Sequence, residues 1–168
     1  MVDTKKKAYE KLYDACNGLR DNLEPLRFRN YVLTLLFAKY VSECCDGNWN
    51  INIPIGGSFD DIIAMKYREN IGEGINVVLR RLAEANGLNG TIDVVDFSSE
   101  EIGKGQYAID KLSRLVEIFQ DLPTDFFDHQ SSNRKFFCEA YEYLSYKFAL
   151  KNKKVEFGTP KEFDTPKE

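Results

Sequence analysis

The sequence is short of the residues from which metal and disulfide sites are built. Its 168 residues contain one histidine, His129, and four cysteines, Cys16, Cys44, Cys45 and Cys138. No pair has the Cys-x-x-Cys spacing of a zinc site, and the adjacent Cys44 and Cys45 suit neither a relaxed disulfide nor a shared metal ion. We therefore expect reduced, mostly buried thiols and no bound metal.

A long hydrophobic run is also missing. The longest apolar stretch, residues 31–41, is too short to cross a bilayer and contains Lys39. Lysines occupy positions 5–7, but no apolar segment of signal-peptide type follows them. We expect a cytoplasmic protein of bacterial type that does not enter a membrane. The net charge of −4 neither indicates nor excludes a nucleic-acid partner, because a basic patch can lie on an acidic protein.

The motifs of common catalytic sites are absent as well. There is no Gly-x-Ser-x-Gly elbow and no His-Glu-x-x-His helix, and IGEGINVV around Gly72 and Gly74 lacks the third glycine of a dinucleotide fingerprint. His129 lies in a polar stretch with no nucleophile or acid pattern around it. Two acidic pairs, at 60–61 and 100–101, stand where helices are predicted to begin and would complement helix dipoles. These residues predict no catalytic site.

What the sequence does contain is apolar residues at helical spacing. Hydrophobic residues make up 43% of the chain and aromatic residues 13%, enough for the core of a single domain. Steps of three and four residues predict helices over residues 4–23, 26–45 (apolar nearly all round), 58–65 (capped by Ser58), 71–85 (ended by Gly87), from Ser98 or Ser99 towards Pro123 (with a Ser98–Glu101 capping box), and around residues 137–148.

The predicted fold class is mainly α, a bundle of about five to seven helices with irregular loops and at most a short β-hairpin. Brief strands are considered only at residues 50–55 and 92–95, where polar and apolar residues alternate or β-branched residues cluster. Residues 1–150 form the predicted helical domain. From Lys151 onwards apolar density falls while lysine and proline increase, so residues 151–168 are predicted to be a linker.

The last predicted helix carries both aromatic and basic residues. Its spacing places Phe137, Tyr141, Leu144 and Phe148 in the core rather than on a base-stacking surface. Tyr143 and Tyr146 fall on the other side, where they are either exposed partner contacts or tyrosines that lie beside a core. Lysines cluster at residues 5–11 and 147–154. A solvated face is the default interpretation of the second cluster, and phosphate contact is the alternative.

Three stretches resemble one family. LRDNLEPLRFRNYVLTLLFAKYVSE is similar to the early helices of the modification subunit of type I restriction–modification systems, HsdM. IGEGINVVLRRLAEANG followed by LNGTIDVVDFSSEE resembles that family's next helix and connection. AYEYLSYKFA followed by EFGTP resembles the helix that leads into the family's catalytic domain. The resemblance identifies the chain with the N-terminal helical domain of that subunit.

The resemblance implies a domain that precedes a Rossmann-like N6-adenine DNA methyltransferase using S-adenosylmethionine. The carried-over methyl-donor residues are Phe157, Thr159 and Pro160, at the edge of a pocket; Gly158 stands where the family usually has tyrosine. The family's glycine-rich cofactor motif and Asn-Pro-Pro-Phe/Tyr motif do not occur here. We therefore expect residues 1–168 to hold no cofactor and to transfer no methyl group alone, with residues 151–168 starting the catalytic domain.

The implied partners are duplex DNA in the complete complex, the specificity subunit and the restriction subunit, and a homodimer stays open. In this setting the predicted DNA-binding residues are Lys147, Lys151, Lys153 and Lys154. The function that follows is a DNA-clamping and subunit-interaction domain. The alternative is a self-standing helical module that binds other proteins.

Overall fold

The computed structural model describes residues 2–44, 51–122 and 133–157, with side chains described at 6–43, 51–122 and 137–152. Six helices lie in these ranges: α1 Val2–Gly18, α2 Pro25–Cys44, α3 Phe59–Ile63, α4 Ile71–Asn86, α5 Gly105–Gln120 and α6 Asn133–Phe157. The described residues contain no strand, so residues 51–55 and 92–95 are loop rather than strand. The prediction of a mainly α bundle is confirmed.

Helix α2 is the central element of the bundle. It packs most extensively on α6 and also contacts α3 and α5. Phe28, Val32, Leu35 and Leu36 are fully buried along it, as expected for a helix that is apolar on several faces. Pro25 is its first residue, where the missing N–H would have had no helical partner.

Two helix ends follow from local sequence. Ser58 caps α3 in a complete capping box, in which its hydroxyl accepts from the Asp61 N–H and the Asp61 carboxylate accepts from the Ser58 N–H. Helix α4 ends at Gly87, which takes a left-handed conformation with φ of 67°. Both ends confirm the sequence predictions.

The predicted start of the fifth helix at Ser98 or Ser99 is wrong. Residues 96–102 form turns, and α5 begins at Gly105 after Lys104. The Ser98 hydroxyl donates to Asp96 at 2.6 Å instead of capping a helix. The Glu101 carboxylate instead accepts hydrogen bonds from the Tyr31 hydroxyl and the Arg27 guanidinium of α2. Tertiary contacts therefore override the local capping signal.

Helix α6 packs on α1 and α2 and corrects one further prediction. Phe137, Leu144 and Phe148 are buried, but Tyr141 is 42% exposed and does not belong to the core. The helix continues to Phe157, past the predicted boundary at residue 150. The division into two domains stays a prediction.

The described cysteines differ from each other. Cys16 is buried, and burial raises the pKa of its thiol. Cys138 is exposed on α6, so the expectation of mostly buried thiols is wrong for this residue. The side chains of Cys44 and Cys45 lie outside the described part of the chain.

Candidate functional site

An apolar groove of about 460 Å³ lies between α2, the connection after α4, and α6. We call it the α2–α6 groove. The residues that define it are Leu33, Phe37, Leu88, Val94, Phe137 and Tyr141. It is the candidate site, because it is an apolar surface that the fold leaves uncovered in the described part of the chain.

Aromatic packing fixes the α6 side of the groove. The Phe137 ring stacks on Tyr40 with centroids 4.5 Å apart and an interplanar angle of 13°. The same ring meets Phe37 edge-on at 6.2 Å and Tyr141 at 5.8 Å. Phe137 is thus fixed by rings on both sides, and its contact with Tyr141 positions that side chain at the rim of the groove.

The opposite rim comes from the connection between α4 and α5. Val94 is 64% exposed, whereas its neighbour Val95 is only partly exposed and packs against the core. Ile92 is buried beneath them. One valine of the pair therefore anchors the segment and the other faces the groove. The lining of the groove is mainly apolar, with Asn30, Thr34 and Thr91 as its polar members and no acidic or basic side chain. It therefore suits the binding of a protein segment rather than catalysis.

A polar cluster lies farther along the same connection. The buried Tyr31 hydroxyl lies 2.7 Å from the Glu101 carboxylate and 3.1 Å from the Asp96 carbonyl oxygen. Arg27 donates to Glu101 at 2.8 Å. Burial, followed by the hydrogen bond with Glu101, raises the pKa of Tyr31.

Asp96 and Asn76 tie this cluster to α4. The Asn76 amide donates to the Asp96 carboxylate at 2.8 Å, and its carbonyl oxygen accepts from the Phe97 N–H at 2.9 Å. Hydrogen bonds from Ser98 and Asn76 lower the pKa of Asp96. The acids of this cluster have partners within the fold, so it is structural rather than catalytic.

The Leu-Arg stretch between α1 and α2 also has a structural explanation. Arg20 donates to the Asn17 side chain at 2.9 Å and to the Leu23 carbonyl oxygen at 2.7 Å. The buried Lys111 of α5 donates to the Arg20 carbonyl oxygen at 3.3 Å. Burial lowers the pKa of Lys111, and the nearby Asp21 opposes this shift. These contacts fix the turn between the first two helices.

A second cleft, of about 690 Å³, lies where the N-terminal ends of α4 and α5 meet. A Cβ at Gly72 would come within 2.5 Å of the Phe97 carbonyl oxygen, and one at Gly74 would collide with Met65. The two glycines therefore allow close packing of chain segments. This agrees with the interpretation that these glycines serve helix packing.

The predicted DNA-binding lysines lie on α6 but are not equivalent. The Lys147 ammonium lies 5.3 Å from the Tyr13 ring centroid and 5.9 Å from that of Tyr143. It is thus held between rings and only partly exposed. Lys151 is also partly exposed. Lys153 and Lys154 lie on α6 with side chains outside the described residues, so the DNA prediction stays a prediction.

Of the three residues carried over to the methyl-donor pocket, one lies in the described part of the chain. Phe157 is the last residue of α6, and its side chain is not described. Thr159 and Pro160 lie outside the described residues. The assignment of these three residues to the pocket stays a prediction.

Tyr143 and Tyr146, the two tyrosines considered as partner contacts, differ in their exposure. Tyr143 is partly buried, with its ring 5.8 Å from that of Tyr9. Tyr146 is 63% exposed. Tyr9 belongs to α1, and its hydroxyl also donates to the Glu139 carboxylate of α6 at 3.1 Å. Because Tyr143 contacts the same tyrosine, it belongs to the packing between α1 and α6.

The described ranges contain neither a cluster of metal-ligating side chains nor a membrane-spanning helix. No three histidine, cysteine, aspartate or glutamate side chains there are grouped so that they could hold a metal ion. None of the described helices is long and apolar enough to cross a membrane. His129 lies outside the described residues.

One comparison with known proteins gives a match. The family model of the HsdM N-terminal domain matches residues 9–119, from α1 to near the end of α5. No curated protein and no solved structure matches the chain significantly. The match includes one wall of the α2–α6 groove and its Val94 rim, while α6 lies beyond it.

Proposed function

The chain belongs to the HsdM N-terminal domain family, and we propose that it is the DNA-clamping and subunit-interaction domain of a type I restriction–modification N6-adenine methyltransferase. The observation that carries the proposal is the family match over residues 9–119. The HsdM N-terminal domain is not the catalytic domain that binds S-adenosylmethionine. The proposed role is therefore non-catalytic.

The α2–α6 groove supports the subunit-interaction part of the proposal. Val94 and Tyr141 form exposed apolar rims over a floor of packed aromatic rings. Interfaces are anchored by a few aromatic and aliphatic side chains inside a water-excluding boundary. A groove of this composition fits an apolar helix or loop of another subunit.

The position of the groove favours the specificity subunit as its occupant. Tyr141 lies near the start of α6, and the helix ends at Phe157. Sixteen helical residues span roughly 24 Å. A catalytic domain following α6 would begin at the far end of this helix, which leaves the groove for a different subunit.

DNA clamping is the second part of the proposal. It rests on the lysines of α6, of which Lys147 is engaged by Tyr13 and Tyr143. The remaining candidates, Lys151, Lys153 and Lys154, lie at the end of the helix that would lead to the catalytic domain. Phosphate contacts there would place DNA beside that domain.

The subunit role is tested by the affinity of this chain for the purified cognate specificity subunit. A Val94→Asp/Tyr141→Ser variant alters both rims of the groove, and we expect at least tenfold weaker binding. The control is Tyr146→Ser, on the same helix but not lining the groove. Equal affinity of the groove variant and the wild type would contradict the proposal.

The DNA role is tested by measuring duplex binding at several salt concentrations. Changing Lys151, Lys153 and Lys154 to glutamate should weaken binding and flatten its salt dependence, by about 0.9 in the log–log slope for each lost phosphate contact. A matched control changes three exposed cations of other segments, Arg68, Lys104 and Arg114. Equal effects of the two triple variants would exclude a specific site on α6.

The non-catalytic role has its own test. We expect this chain, incubated with duplex DNA and labelled S-adenosylmethionine, to transfer no methyl group. Methyl transfer that persists after repurification of the chain would contradict the proposal.

A further inference from the structure

A rigid turn carries an isoleucine that the fold does not use. The Gly57 N–H donates to the Pro54 carbonyl oxygen at 2.9 Å, closing a turn over residues 54–57. Gly56, its third residue, has a φ of 81°, the left-handed conformation that a type II turn requires there. Ile55 is therefore at the apex, and its side chain is fully exposed, at 101% of its reference area.

Hydrogen bonds hold the approach to this turn. The Asn52 N–H donates to the Asn86 side chain at 2.7 Å, and the Asn86 amide donates back to the Asn52 carbonyl oxygen at 2.8 Å. The same amide also reaches the Leu82 carbonyl oxygen at 2.8 Å, which ties the loop to the end of α4.

The exit from the turn is held equally well. A Cβ at Gly57 would collide with the Pro54 ring, so the turn is closely packed. Two residues on, the Phe59 N–H donates to the Ser42 hydroxyl at 2.8 Å, and the Phe59 side chain is buried. Ile55 is thus presented on a fixed support, and ordering it on binding would cost little backbone entropy.

Positive charge lies next to the apex. The guanidinium of Arg81 on α4 occupies the space that a Cβ at Gly56 would take. Arg80 and Arg81 are exposed, and neither forms an ion pair with a carboxylate among the described residues. The apex therefore combines an unburied apolar side chain with the Arg81 guanidinium, for which the described residues supply no carboxylate.

We propose that the Ile55 turn is a second docking point for the specificity subunit, inserting Ile55 into an apolar pocket with a carboxylate at its rim that pairs with Arg81. This inference rests on the proposed function. Arginine is enriched among the residues that dominate binding energy at interfaces, and such residues cluster around side chains that fill well-packed pockets on the partner. Nucleic acid is less suited, because the exposed acids Asp60 and Glu84 lie close to the turn in sequence or on the same helix.

The distance between the two docking points fits one partner. Arg81 lies five residues before the end of α4 at Asn86, which corresponds to roughly 7 Å of helix, and the groove residue Leu88 follows two residues later. A single subunit can contact the groove and the Ile55 turn together. Its affinity should then depend on both sites.

The test measures the affinity of four variants of this chain for the purified cognate specificity subunit. We expect Ile55→Asp to weaken binding at least tenfold, Ile55→Leu to leave it within about twofold, and Arg81→Glu to weaken it several-fold with less dependence on salt. Melting temperatures should not change for Ile55→Asp, since the side chain contributes no buried area. The control, Tyr146→Asp, places a carboxylate at an exposed aromatic position on α6.

The outcomes separate this inference from the proposed function. Wild-type affinity of Ile55→Asp together with weak binding of the Val94→Asp/Tyr141→Ser variant would overturn the inference and leave the proposed function standing. Equal weakening by Ile55→Asp and Tyr146→Asp would also overturn it. No binding of the specificity subunit by the wild type would overturn both. Loss of duplex DNA binding by Ile55→Asp, with subunit binding unchanged, would identify the turn as a nucleic-acid contact instead.

Discussion

The two halves of the connection between α4 and α5 use their side chains differently. Residues 88–95 contain both polar residues and the apolar residues Leu88, Ile92, Val94 and Val95, of which Ile92 is buried and Val94 is exposed on the groove. Residues 96–104 carry Asp96, Glu101 and several hydroxyl groups, and they are held by hydrogen bonds to α2 and α4. In most enzymes the polar half would be the first place to look for function. Here its polar groups are used within the fold, and the apolar half is left available.

This contrast shows how structural and functional roles can be told apart. A polar side chain whose hydrogen bonds end on neighbouring helices stabilises the domain. An exposed apolar side chain on a well-packed support contributes little to stability. Val94 and Ile55 are both of the second kind. The contrast predicts that substitutions in the polar half reduce stability, whereas substitutions of the exposed apolar residues reduce binding.

The largest expected difference is between Phe97 and Val94, three residues apart. Phe97 is 1% exposed and meets the Tyr31 ring edge-on at 5.1 Å. Phe97→Ala should lower the free energy of unfolding by about 3–5 kcal/mol, whereas Val94→Ala should change it by less than about 0.5 kcal/mol. Urea unfolding of both variants measures the difference. Similar losses would show that Val94 is part of the core.

A second pair extends the contrast to α6. Leu144 is fully buried and Tyr141 lies at the groove rim. Leu144→Ala should cost about 2–5 kcal/mol of unfolding free energy. Tyr141→Ala should cost less than about 1 kcal/mol, because most of its side chain contacts solvent or Phe137. Thermal and urea unfolding give both values, and a large loss for Tyr141 would place it in the core, as its spacing suggested.

Tyr31 tests the polar half directly. Tyr31→Phe removes the hydroxyl that is hydrogen-bonded to Glu101, after which Arg27 is the remaining partner of that carboxylate among these contacts. We expect the free energy of unfolding to fall by about 1–2 kcal/mol near pH 7. The pKa of Tyr31 is raised in the folded state, so its contribution is complete below about pH 10 and is lost as the pH rises through the folded pKa. The difference in the free energy of unfolding between wild type and Tyr31→Phe, measured by urea unfolding, should therefore decrease above pH 10. A difference that does not depend on pH would contradict this prediction.

Sequence patterns predicted most of this fold but not the division of roles. Helical periodicity, Pro25, Ser58 and Gly87 identified α2, α3 and α4 because those signals are local. The start of α5 failed because Glu101 pairs with Arg27 and Tyr31, which are about seventy positions away in the chain. No local pattern contains that information.

The candidate site was missed for a related reason. Tyr141 shares the spacing of Phe137, Leu144 and Phe148, and spacing does not reveal where the neighbouring segment stops covering a helix. Val94 lies in a valine pair of which only one member faces inward. A valine pair in an irregular loop does not indicate which member is exposed. The groove therefore required the packing of the connection against α2 and α6.

Substitution of Asp96 has the smallest expected effect on stability, and the direction of its pH dependence is defined. Its pKa is lowered by hydrogen bonds from Ser98 and Asn76, so its contribution is complete above the unfolded-state pKa of about 3.9 and is lost as the pH falls through the folded pKa. Because Asp96 is exposed, Asp96→Asn should cost at most about 1 kcal/mol at pH 7. The wild type should converge on the variant below pH 4 in acid unfolding, while Val94→Ala should remain parallel to the wild type throughout. If the stability difference between Val94→Ala and the wild type also changed below pH 4, Val94 would depend on the ionisation of the polar half. The contrast between the two halves would then not hold.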